Sequence, residues 1–146
     1  MAGRRHRGWT VGAVLFGLGL SVLWPLASHA AEPVLSGNFL PAIVASSEPH
    51  RAALEALIKG RPGLPPWVRN MIRQPRYVAL ASTRVETGGV AMQLFTACEA
   101  GRCDESRISV LFSEDGKRAV ARIVDRKLGE KLLGDPSAEE LGALLR

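Results

Sequence analysis

Cys98 and Cys103 are the only thiols in the 146-residue chain, with four residues between them in Thr96-Ala97-Cys98-Glu99-Ala100-Gly101-Arg102-Cys103. Such a pair either stays reduced, as a redox or nucleophilic pair, or oxidises and staples a short loop; the compartment decides which. The other reactive side chains are sparse. His6 and His29 fall in the first thirty residues, which leaves His50 as the only histidine beyond them. A serine hydrolase needs a histidine base, and no Gly-x-Ser-x-Gly elbow is present. One histidine and an oxidised cysteine pair are too few ligands for a zinc site. The chain has no Walker or dinucleotide loop. Its carboxylates stand mostly beside basic residues, as in Glu105-Ser106-Arg107, the usual pattern of a solvated face. This inventory predicts a binding protein that is not an enzyme, with no metal and no cofactor.

The compartment is read from the N-terminus. Arg4, Arg5 and Arg7 precede an apolar run from about Trp9 to Ala27, and Ser28 and Ala30 form a small-x-small site before Ala31-Glu32-Pro33. A basic region, an apolar region and a small-residue site make a secretory signal peptide over residues 1–30. The alternative is an uncleaved anchor, since the run is nearly long enough to span a bilayer; Gly12, Gly17 and Gly19 within it favour cleavage. Export to the periplasm favours a Cys98–Cys103 disulfide and, after cleavage, no stable membrane association. Without Arg4, Arg5 and Arg7, 16 of the 19 basic side chains remain against 14 acidic ones. A net charge of about +2 does not point to nucleic acid.

The elements that must position the loop follow in chain order over one domain, 31–146. Ala31 to about Val44 has no clear period and reads as an extended or mobile lead-in. Ser46-Ser47-Glu48-Pro49 starts a helix that runs to Lys59, with Ala53, Leu54, Leu57 and Ile58 on one face and Gly60 available to end it. His50, in its first turn, is expected to be solvated. Pro65 and Pro66 predict an extended path for Leu64 and Trp67; Trp67 reads as a core plug rather than a stacking surface for a ligand. From Tyr77 the period becomes two, predicting strands at Tyr77–Ala81, Arg84–Glu86, Val90–Cys98, Arg107–Ser113 and Ala119–Asp125. Thr87-Gly88-Gly89 and Glu114-Asp115-Gly116-Lys117 are hairpin turns, the second expected to be type I′. A short C-terminal helix follows, capped by Asp135-Pro136 or by Ser137 with Glu140. The fold class is α+β: an antiparallel meander packed on an N-terminal helix, with the cysteines at a hairpin tip.

Leu64-Pro65-Pro66-Trp67-Val68, followed by Ala97-Cys98-x4-Cys103-x3-Arg107-Ile108-x-Val110-x2-Ser113-Glu114, resembles the inhibitor of vertebrate lysozyme family, Ivy. The likeness runs from about His50 to Glu114. It implies a periplasmic α+β protein, often a homodimer, whose disulfide-closed loop enters the cleft of a C-type lysozyme. In the family that loop reads Cys-Lys-Pro-His-Asp-Cys, and its histidine contacts the catalytic carboxylates. This chain has Glu99, Ala100, Gly101 and Arg102 in those places, with Asp104 just beyond the staple. The resemblance therefore carries the scaffold and a partner-binding loop of Glu99, Ala100, Gly101, Arg102 and Asp104, without the histidine. The implied partner is lysozyme or a lytic transglycosylase; the alternative is a non-inhibitory structural or stress-related member.

Overall fold

The computed structural model describes residues 34–146; the expected signal peptide and its cleavage site lie outside the described residues. Three helices come first, α1 (Leu40–Ser46), α2 (Glu48–Ile58) and α3 (Pro66–Asn70). Six strands follow, β1 (Tyr77–Ala79), β2 (Thr83–Thr87), β3 (Val90–Glu99), β4 (Ser106–Ser113), β5 (Ala119–Asp125) and β6 (Gly129–Leu133), and α4 (Ala138–Leu144) closes the chain. The class is α+β, as expected, with every strand pairing antiparallel.

β3 organises the sheet. Its alternation sends Phe95 and Ala97 to one face and Met92 and Leu94 to the other. β4, β5 and β6 add to one side of it as a meander. β2 and β1 share its other side end to end, β2 against Val90–Leu94 and β1 against Ala97–Glu99. The sheet is thus a meander with a divided edge. At the division Ser82 is held by Gln93 Nε2, which donates to its hydroxyl over 2.8 Å, and by reciprocal bonds with Asn38.

The main core lies between the sheet and α1–α3. Phe95, Ile108, Val110, Phe112 and Ile123 meet Leu40, Leu54, Leu57 and Val68 there. Phe95 and Phe112 pack edge to face with ring centroids 5.8 Å apart, a favoured aromatic geometry. The opposite face is covered at one end by α4, whose Ala143 and Leu144 pack on Val85, Met92, Leu111 and Val120. Ser137 accepts from the backbone of Glu140, and the Glu140 carboxylate accepts from the backbone of Ser137, so of the two caps weighed it is the box that forms.

Several sequence expectations need correction. The lead-in is not irregular throughout. Residues 40–46 are helical, because Pro41 falls in the first turn, where its missing N–H costs nothing. Gly37 and Asn38 are tied to Ser82. The second proline likewise starts a helix instead of extending the path: Pro65 is extended, but Pro66 opens α3 and Trp67 lies within it. β6 lies beyond the strands that the sequence pattern predicts. Its Gly129-Glu130-Lys131 start looks unlike a strand, yet charge suits an exposed edge. The β4–β5 turn is not type I′, because Asp115 does not take the positive φ that turn requires. Only Gly116 does, at +71°, and its missing side chain is what admits the His50 ring: a Cβ there would meet Nδ1 of His50 at 2.2 Å.

Candidate functional site

The loop between β3 and β4 is closed by a Cys98–Cys103 disulfide, and the described residues contain no free cysteine. Cys98 is still in the ladder, opposite Arg107, while Cys103 lies in the connection. Inside the staple the Arg102 N–H donates to the Glu99 carbonyl over 2.9 Å, closing a four-residue turn with Gly101 third, at φ +79°. That is the geometry of a type II turn, in which a side chain at the third position is strained. The position holding histidine in the resembling family is therefore one where this backbone favours glycine. No atom lies within 4 Å of where a Cβ on Gly101 would sit, so the tip faces open space. Ala100, Cys103 and Asp104 are exposed as well.

The loop charges are organised inwardly. Arg102 donates through Nε and Nη2 to Glu105 at 2.9 and 2.7 Å, and through Nη1 to Glu99 at 3.1 Å. Arg126 reaches the other oxygen of Glu105 at 3.3 Å. The hydrogen bond from Arg102 holds the Glu105 carboxyl below its ordinary range, and that bond in turn raises Arg102. Arg102 is thus both the loop's most prominent cation and its main tie. Asp104 enters none of these ion pairs.

Behind the loop lies a polar footing. Ser106 is fully buried, and its hydroxyl accepts from Trp67 Nε1 over 2.8 Å. Ser106 stands opposite Asp125 across the ladder, and its hydroxyl is the first cause of the lowered pKa of that buried carboxyl. Asp125 Oδ1 further accepts from the backbone of Lys127 and Leu128 at 2.9 and 3.0 Å, which shapes the β5–β6 turn. The half-buried Trp67 packs against the core and lies 6.0 Å from the Tyr77 ring, so the core-plug reading stands with an added polar role. Burial pushes the Tyr77 phenol up to about 12.

Sequence reasoning named Glu99, Ala100, Gly101, Arg102 and Asp104, and the structure groups the first four on one stapled turn. It missed Glu105, Ser106, Asp125, Arg126 and Trp67 as parts of the same assembly. Glu105-Ser106-Arg107 is no solvated run: Glu105 pairs with Arg102 and Arg126, and Ser106 is buried. The available signal was the alternation of β4, which places Ser106 on the inward face with Ile108. His50 is also not solvated. It is 7% exposed, its ring tilted against that of Phe112 with centroids 4.9 Å apart, and its Nδ1 is hydrogen-bonded to the Ser47 hydroxyl at 2.7 Å.

Among the described residues, no group of three or more His, Cys, Asp or Glu is placed to hold a metal, and no helix is long and apolar enough to cross a membrane. No family model matches the chain, and no curated protein matches it.

Proposed function

We propose that this chain is a non-catalytic, periplasmic binding protein of the Ivy type, which presents the Cys98–Cys103 loop to the cleft of a peptidoglycan-cleaving enzyme. One observation carries the reading: a disulfide-closed type II turn with an exposed Ala100-Gly101 tip, braced from behind by Glu105, Arg126 and Ser106. Such bracing lowers the ordering cost of docking. The two stretches that suggested the family, the one around Trp67 and the cysteine loop, meet through the Trp67–Ser106 hydrogen bond. Glycosidases of this kind use a pair of carboxyl groups, and an inserted guanidinium can engage carboxylates with charge-assisted bonds. Arg102 is that group. Leaving its loop for a partner's carboxylates would still leave Glu105 paired with Arg126.

The test is clearing of a cell-wall suspension by a C-type lysozyme, and separately by a lytic transglycosylase, with the purified protein in excess. Slowed clearing by either enzyme, relieved by Arg102→Ala, is the expected result. Unchanged clearing by both would overturn it. A specific observation favours the second reading, a member of the same fold without inhibitory action: Arg102 is already satisfied by Glu99 and Glu105, and Gly101 offers no side chain.

A further inference from the structure

Between Glu55 and Glu86 the sequence carries Lys59, Arg61, Arg69, Arg73, Arg76 and Arg84 and no acidic residue, although the chain has 14 acids in all. The fold gathers part of this run around a groove among the helices. One compartment, of about 410 Å³, is walled by Arg51, Lys59, Arg69 and Arg73 with Ile58 and Ile72 between them. A second, of about 320 Å³, shares Arg51, Ile72 and Arg73 and is otherwise lined by groups such as Val44, Met71, Pro75 and Tyr77. Both volumes suit small-molecule sites. The cations are not equally engaged. Arg51 pairs with Glu48, and Lys59 lies 3.9 Å from Glu55, the acid of the first compartment. Arg69 and Arg73 make no ion pair with any described residue.

Arg69 stands in α3, and the next turn continues with Arg73 and Gln74 donating their N–H groups to the Asn70 carbonyl at 3.0 and 2.8 Å. Like charges four apart on such a path repel each other. Two guanidinium groups without an ion-pair partner beside an apolar floor have the chemistry of an anion site with a place for an aliphatic body. We propose that this groove binds an anionic amphiphile, with a phosphate or carboxylate head between Arg69 and Arg73 and its tail over Met71, Pro75 and Tyr77. No groove residue belongs to the stapled loop; the two touch only through Tyr77, which stands opposite Glu99 in the ladder and beside Trp67, so the arginines that hold the head lie outside the proposed docking surface. The apolar second compartment, with Tyr77 as its only aromatic ring, favours an aliphatic tail over a nucleic-acid strand, whose bases call for stacking platforms.

The experiment is calorimetric titration of the purified protein with dodecyl phosphate, kept below its micelle concentration, beside octyl phosphate, dodecanoate, inorganic phosphate and a twelve-residue oligothymidylate. Saturable 1:1 binding is expected for the twelve-carbon ligands, weaker with the shorter tail, weaker still for inorganic phosphate, and weakened by salt. Arg69→Gln with Arg73→Gln should lower dodecyl phosphate affinity by about tenfold or more. In the unaltered protein, the methyl signals of Ile58, Met71 and Ile72 should shift during titration while those of Leu111 and Val120 stay. Absence of saturation, indifference to the double substitution, shifts centred on Leu111 and Val120, or tighter binding of oligothymidylate than of dodecyl phosphate would each overturn the proposal.

Discussion

His50 shows what one side chain can contribute when the fold buries it. Its Nε2 is buried without a hydrogen-bond partner, and its ring lies between Phe112 and Gly116. Burial lowers its pKa below 6.5, only partly opposed by the nearby Asp115. A histidine whose folded pKa is depressed is neutral in both states above 6.5, so its contribution to stability is flat there. Below 6.5 the unfolded chain takes up a proton that the folded chain resists, and stability falls until the lowered folded pKa is passed. Urea unfolding at pH 7.5 and 5.5 should therefore show a loss of stability on acidification. The loss should be much smaller in His50→Gln, because no other described residue is a histidine. An equal loss in both proteins would assign the effect to the carboxylates instead.

At the scale of elements, α4 depends on one acid. Glu140 is buried, closes the capping box on Ser137, and accepts two bonds from Arg118 at 2.7 Å each. The Arg118 bond is the first cause of its lowered pKa, ahead of the opposing effect of burial. Glu140→Ala removes the carboxylate half of the capping box, leaving the Ser137 hydroxyl on the backbone N–H of residue 140, and leaves the Arg118 fork without its partner, a cost of about 1–3 kcal/mol. Urea midpoints should fall accordingly with the slope unchanged. The stapled loop is a second element-scale feature. A six-residue closure contributes about 2 kcal/mol by chain entropy, so its rigidity matters more to recognition than its stabilisation does to the fold.

For the whole molecule, the sheet links two apolar layers. Phe112 and Leu111 are adjacent and fully buried, yet they serve the α1–α3 side and the α4 side respectively. Phe112→Ala opens a cavity beneath both Phe95 and His50 and should cost about 3–5 kcal/mol. Because β3 to β5 belong to both layers, Trp67 fluorescence and far-ultraviolet circular dichroism should report one coincident transition. Separate transitions would mean that the α4 layer melts on its own.

The sequence alone determined whatever depends on neighbours a few residues away. α2 with its Gly60 stop, the hairpin at Gly88-Gly89 and the span of β5 follow from local spacing, whereas two caps are open to α4 and the oxidation of the cysteine pair rests on the N-terminal export signal. Tertiary structure decided the rest. Pro41 and Pro66 start helices instead of extending the chain because Leu40, Val44 and Val68 find a sheet to cover. β6 is a strand because β5 offers it an edge, and His50 is buried because Gly116, 66 positions later, leaves room for its ring. The same divide runs through the loop. Cys98, Gly101 and Cys103 announce a stapled turn, but its bracing by Trp67 through Ser106, 39 residues away, and by Arg126, 21 residues beyond Glu105, is long-range. Local patterns encode where a chain turns; which charges are satisfied and which face solvent is settled only when distant segments compete for the same space.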